Sequence, residues 1–126
     1  MNELEKSNSA YLLHHSKNPI YWKPWTTSTL NQAKSENKLI ILSIGYSACH
    51  WCHVMERETF NNELIAQVMN QHFIAIKVDK EEHPEVDNVY MDFLLETKGS
   101  GGWPLNCILL PSSQPLYAGT YYNTND

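Results

Sequence analysis

Leu39-Ile40-Ile41-Leu42-Ser43-Ile44-Gly45-Tyr46-Ser47-Ala48-Cys49-His50-Trp51-Cys52-His53 decides the fold. Its first half is a short β-branched run closed by glycine, the pattern of a strand buried on both faces. Its second half leaves the loop Tyr46-Ser47-Ala48 and enters a helix expected over Cys49–Glu58. Cysteines at i and i+3 lie about one helical turn apart on one face.

Four chemistries fit Cys49-His50-Trp51-Cys52-His53. The first is dithiol redox catalysis. The reactive species is a thiolate, and a Cys at a helix mouth meets unpaired N–H groups and the positive end of the dipole. Cys49 has that setting, and Cys52 can attack a mixed disulfide formed on Cys49 and release it. His50, between them, would favour the Cys49 thiolate further if protonated or donating an N–H. This reading asks the two sulfurs to meet at the exposed tip of the helix. The second is covalent haem, with His53 as iron ligand. That chemistry needs an export signal, which Met1–Ser9 does not resemble, and the flanking strand–helix–strand pattern does not suit a small helical cytochrome. The third is zinc on Cys49, Cys52 and His53 with Cys107 or His83, although structural zinc usually takes two matched pairs and this chain has one. The fourth is a pair of inert core cysteines.

Working outward, Thr26–Asn37 is expected to be helical, with its cap in Thr26–Ser28. Asn61 or Asn62 caps a second stretch whose Leu64, Ile65, Val68 and Met69 predict an apolar face. Phe73–Asp79 is a strand, and Pro84–Thr97 a helix with Val86, Val89, Tyr90, Phe93 and Leu94 inward. Lys98–Gly102 is a glycine-rich loop. Pro104 opens the strand Leu105–Leu110, and Leu116–Tyr122 is a fourth. The helical crossover between the first two strands implies parallel pairing, and the short link between the last two implies a hairpin. Tyr11, Tyr21, Trp22 and Trp25, interrupted by Pro19 and Pro24, read as an irregular aromatic arm that covers part of the core.

The Trp103–Pro104 bond is a candidate cis peptide, since X-Pro bonds are where cis forms occur. A cis bond there would turn the Trp103 backbone toward the Cys49 loop, where an extended peptide could pair with it. Trp51, Trp103 and Pro104 are the candidate substrate-binding residues.

The bulk numbers exclude other classes. With 126 residues, 42% hydrophobic, the chain is the size of one domain. Its 9 basic against 14 acidic residues form no basic run, so nucleic acid is not an expected partner. The longest apolar run, Leu39–Ile44, is too short to span a bilayer. Three cysteines, an odd count, do not suit a disulfide scaffold. No membrane and no metal are expected, and the cytosol is the expected location. Cys107 reads as a buried small hydrophobe. Asp79, Glu81 and Glu82 read as a solvated turn.

Strand, Cys49-x-x-Cys52, strand Phe73–Asp79 and Pro104 before a strand together resemble the thioredoxin superfamily. More narrowly, the chain resembles the amino-terminal thioredoxin-like domain of the spermatogenesis-associated thioredoxin-like proteins. That likeness rests on Tyr11-Leu12-Leu13 with His15, Asn18-Pro19-Ile20, Trp22, Pro24-Trp25, Ser43 through Glu56, Ile76-Lys77-Val78-Asp79, Glu81-Glu82, Pro84, Gly101-Gly102-Trp103-Pro104 and Gly119-Thr120-Tyr121. It implies a three-layer α/β/α fold with a mixed sheet of about four strands, residues 1–25 as the arm and 26–126 as the thioredoxin-like domain. It also implies thiol–disulfide exchange on protein thiols or disulfides without a cofactor, with Cys49 as nucleophile and Cys52 as resolving thiol. The alternative is a non-catalytic module that binds a partner or docks the large helical region into which such proteins continue. Two departures stand out. Ser43 occupies the place of the buried Asp that serves the resolving thiol in thioredoxins, so Glu56 or His53 is the candidate proton relay. The C-terminal helix that covers one sheet face in thioredoxins is not expected within residues 1–126, and Tyr11–Trp25 is expected to take its space.

Overall fold

The computed structural model describes residues 2–121. Strand β1 (Leu39–Gly45) is the hub of a four-stranded sheet in the order β2-β1-β3-β4. It pairs in parallel with β2 (Phe73–Asp79), Leu39 opposite Phe73 through Gly45 opposite Asp79. On its other side it pairs antiparallel with β3 (Leu105–Leu109), which forms a hairpin with β4 (Pro115–Gly119). The mixed α/β sheet of the thioredoxin-like fold is thus present. The expected end of the fourth strand, Tyr122, lies outside the described residues.

Alternation along the strands separates two cores. Ile40, Leu42 and Ile44 of β1, with Ile74, Ile76 and Val78 of β2, pack under helices α2 (Thr27–Glu36) and α5 (Pro84–Lys98). The opposite face meets α1 (Ala10–His14), α3 (His50–Met55), a π-helical turn at Glu56–Phe60, and α4 (Glu63–His72). Local chemistry sets these boundaries. Thr26 caps α2 by accepting the Thr29 N–H at 3.2 Å, and Asn37 ends it in the left-handed region at φ 52°.

Two helical faces differ from the expectation. In α4, Ala66 and Met69 point inward while Leu64 and Val68 are exposed. Asn62, its backbone extended, separates α4 from the π turn and caps it by accepting the N–H groups of Leu64 and Ile65. From that start small Ala66 enters the same core as Ala75. In α5, Val86, Tyr90 and Leu94 form a single i, i+4, i+8 stripe, and Val89 falls outside it. The helix expected over Cys49–Glu58 instead starts after Cys49 and gives way to the π turn at Glu56.

The stretch before α2 supplies buried mass. Leu4, Tyr11, Leu12, Ile20 and Trp22 are all in the second core. Lys23 forms a parallel bridge with Ile76 at the outer edge of β2. Ser9 caps α1 and donates its hydroxyl to Asp79 at 2.7 Å, so the end of β2 holds the start of α1. This stretch lies on the β2 side. Beyond the π turn an apolar hollow of about 280 Å³ remains, bordered by Ile41, Phe60, Met69, Ile108 and Tyr117.

Trp22 is fully buried, packs edge-on against Phe60 at 5.1 Å and donates its indole N–H to Asn18 at 3.0 Å. Trp22→Ala should therefore destabilise the fold by about 3–5 kcal/mol, as large-to-small core truncations do. Urea unfolding followed by circular dichroism measures it.

Candidate active site

β1 delivers the chain to the edge of the sheet at Gly45, and the loop Tyr46–Ala48 turns it into α3. Cys49 is the cap of α3, its backbone extended at φ −79°, ψ 109°. Its Sγ accepts the Cys52 N–H at 3.2 Å, so one orphan donor of the helix already points at this sulfur. Cys49 and Cys52 are joined as a disulfide, with Cα atoms 5.3 Å apart.

The sulfurs do not meet at an exposed tip. Cys49 keeps 4% of its surface and Cys52 1%. The physical reason is the packing of both residues into the second core, against which Tyr46, Trp103 and Tyr121 also lie. What solvent sees is the rim: His50 and Trp51 are exposed, their rings 5.1 Å apart. Trp51 also meets Tyr121 edge-on at 5.2 Å.

The Trp103–Pro104 bond is cis. The Trp103 ring is held by its N–H to Asp87 at 2.8 Å and lies edge-on to Tyr46 at 5.8 Å. Lys80 sits over both rings. Trp51, Gly101, Gly102, Trp103, Thr120 and Tyr121 line a shallow groove of about 320 Å³ beside α3. Trp51 and Trp103, remote in sequence, thus share one surface.

Glu56 and His53 come together, but facing the N-terminal stretch. The buried Glu56 carboxylate accepts from Asn18 Nδ2 at 3.1 Å and pairs with His14 at 2.8 Å. His53 Nε2 donates to the Ser47 carbonyl at 2.6 Å. Ligand atoms of His14, His53 and Glu56 lie within 4.8 Å of one another, a set that could hold a cation if these bonds were given up. His15, fully buried, donates from Nδ1 to Asn18 Oδ1 at 2.9 Å. Burial pushes its pKa down to about 2, which keeps the ring neutral.

Two residues of this floor were not singled out from the sequence as site residues. Lys77 is fully buried and donates to Ser43 Oγ at 2.6 Å, with Tyr11, Trp22 and Phe60 rings around its Nζ. Burial lowers its pKa to about 7, against a raising effect of Glu56. Its signal was available: a lysine inside Phe73-Ile74-Ala75-Ile76-Lys77-Val78, a run whose neighbours demand burial on both faces. Tyr11 is the other, with its hydroxyl buried beside Gly45 and near Cys52. Cys107 takes no part: it is buried in β3, and burial pushes its thiol up to about 12.

With the geometry in place, comparison with known proteins decides the family. Residues 1–126 match the family Thioredox_DsbH, described as "Protein of unknown function, DUF255". The chain belongs to the DsbH/DUF255 family of thioredoxin-like domains. This DUF255 chain is 50% identical over 125 residues to "Spermatogenesis-associated protein 20" of Rattus norvegicus, covering 99% of the chain and 16% of that protein. It therefore spans about one sixth of the length of such relatives. Among solved structures the domain is similar to a "DsbH Oxidoreductase", with TM-score 0.60, 19% identity, and 82% of this chain and 74% of that one covered. It is also similar to a disulphide isomerase from Xylella fastidiosa Temecula1, with TM-score 0.59, 19% identity, and 72% and 67% covered. At these identities the likeness carries the fold alone.

Lys77 gives the DUF255 domain a pH signature. Its folded pKa, about 7, is below its ordinary 10.5, so between these values the unfolded chain holds the extra proton. Stability should rise with pH across that window, with a slope of up to about 1.4 kcal/mol per unit. Urea midpoints of the disulfide form from pH 7 to 10 should climb relative to those of Lys77→Met, in which this proton is absent.

Proposed function

We propose that this domain exchanges thiols and disulfides with protein substrates through Cys49 and Cys52. The observation that carries the reading is a disulfide-bonded Cys-x-x-Cys whose first sulfur caps a helix. The thioredoxin-like fold supports it, as do relatives in that fold whose names refer to oxidoreductase and disulphide isomerase activity.

In the oxidising direction a substrate thiolate attacks Cys49 Sγ. The Cys49–Cys52 bond breaks, and its electron pair leaves on Cys52, which then takes a proton. A second substrate thiolate attacks the substrate sulfur of the mixed disulfide. The substrate disulfide forms, and Cys49 leaves as a thiolate held by the Cys52 N–H. Two electrons have moved from substrate to protein. The reducing direction is the same path reversed. Both cysteines are buried, Cys49 at 4% and Cys52 at 1%, so exchange asks the exposed His50–Trp51 rim to give way to the incoming thiolate. His50, next to Cys49, adds positive charge when protonated. Trp51 and Trp103 border the groove in which an extended substrate segment lies, with Pro104 buried behind Trp103, and the cytosol is the proposed setting. His53 and Glu56 handle protons at the back of α3.

The test is capture. Cys52→Ala leaves Cys49 able to attack and unable to resolve, so intact-mass analysis of pull-downs should show mixed-disulfide adducts that Cys49→Ala lacks. Adducts with neither variant would leave a docking module as the better reading. In the reduced protein, the alkylation rate of Cys49 against pH should show a midpoint below the free-thiol value of about 8.5.

A further inference from the structure

Gly45, the last residue of β1, is where three elements crowd one point. A Cβ built on Gly45 would lie 2.6 Å from Cys52 Sγ and closer still to the Tyr11 hydroxyl. The two atoms therefore lie within about 5 Å of each other. Tyr11 is 1% exposed, and its hydroxyl has no hydrogen-bond partner among the described residues. A buried hydroxyl without a partner costs roughly 1–3 kcal/mol, so its retention asks for a state in which it is used. The disulfide form does not supply that state, because a bonded sulfur is a poor acceptor. The same sulfur released as a thiolate is a strong one.

We propose that Tyr11 is the hydrogen-bond donor that stabilises the Cys52 thiolate when the disulfide opens. The proposal rests on the exchange reading above and deepens it by naming the group that serves the resolving sulfur. An incoming thiolate gives its electron pair to Cys49 Sγ, and the old sulfur–sulfur bond breaks with its pair on Cys52 Sγ. The two sulfurs part to van der Waals contact, and the Tyr11 hydroxyl donates to the one that carries the charge. The proton stays on the phenol oxygen, since burial raises the phenol's pKa and the Glu56 and Asp79 charges raise it further. Lys77, its Nζ 5.4 Å from the Tyr11 ring centroid and bonded to Ser43, supplies a compensating positive charge when protonated. Ser43 offers no carboxylate here, and Tyr11 meets the need from the other side, as a donor to the thiolate in place of a base for the thiol.

The experiment uses Tyr11→Phe, which keeps the ring against His15 and Lys77 and removes the oxygen alone. In a Cys49→Ser background, iodoacetamide alkylation against pH reads Cys52 directly. The Cys52 ionisation constant should fall about tenfold, the size of one charge-assisted hydrogen bond. In the chain with both cysteines, the opening of the disulfide by dithiothreitol should slow severalfold. The thermal midpoint of the disulfide form should not drop, because the hydroxyl has no partner there. If Tyr11→Phe does not fold, 3-fluorotyrosine at position 11, which keeps ring and hydroxyl and makes the hydroxyl a stronger donor, should raise the Cys52 ionisation constant, and no change within twofold overturns the proposal. A Cys52 ionisation constant unchanged within twofold overturns the proposal. So does a disulfide form that loses as much stability as the dithiol form, which would mark the hydroxyl as a packing element. Both probes are small molecules, so the outcome stands whether or not protein disulfides are exchanged.

Discussion

Burial of β1 on both faces is the constraint from which the rest follows. A strand with helices above and below must be apolar at almost every position, and in this chain it is, from Leu39 to Ile44. Its place between β2 and β3 fixes where it ends. Gly45 therefore falls at the rim of the sheet, and the loop after it sets Cys49 at the start of a helix. The cysteine pair inherits its position from a strand that contributes no reactive group.

The second constraint is charge inside the other core. Lys77 and Glu56 are both buried, each bonded to polar partners: Ser43 for the lysine, Asn18 and His14 for the carboxylate. Isolated buried ions are costly, and here aromatic rings and amides share the load. The residues before α2 supply most of those partners. Tyr11, His15, Asn18 and Trp22 thus join the back of α3 to β2, and the same residues that close the core also tune its polarity.

Much of this was legible in the sequence, for physical reasons that differ by residue. The β1 run and the helix after it could be read because a doubly buried strand and a helix cap are local patterns. The pairing of β1 with β2 followed from the crossover. The inward face of α4 could not be read, because its apolar residues fall on both faces: Ala66 and Met69 are buried while Leu64 and Val68 end in solvent. Nor could the seclusion of the two sulfurs. Spacing places Cys49 and Cys52 on one face of a helix but says nothing of the core into which that face packs. Lys77 and Tyr11 were missed as site residues because each looks ordinary alone, and their meaning lies in what folds against them.

The chain has three sulfhydryl positions, and the fold sorts them into two populations. Cys107, buried in β3 with a thiol that burial holds almost fully protonated at ordinary pH, is a poor nucleophile in the folded domain. The couple at α3 reports electrons, while the lone thiol does not. A labelling experiment on this domain thus separates two kinds of sulfur: a pair whose label count follows oxidation state and a third whose labelling does not.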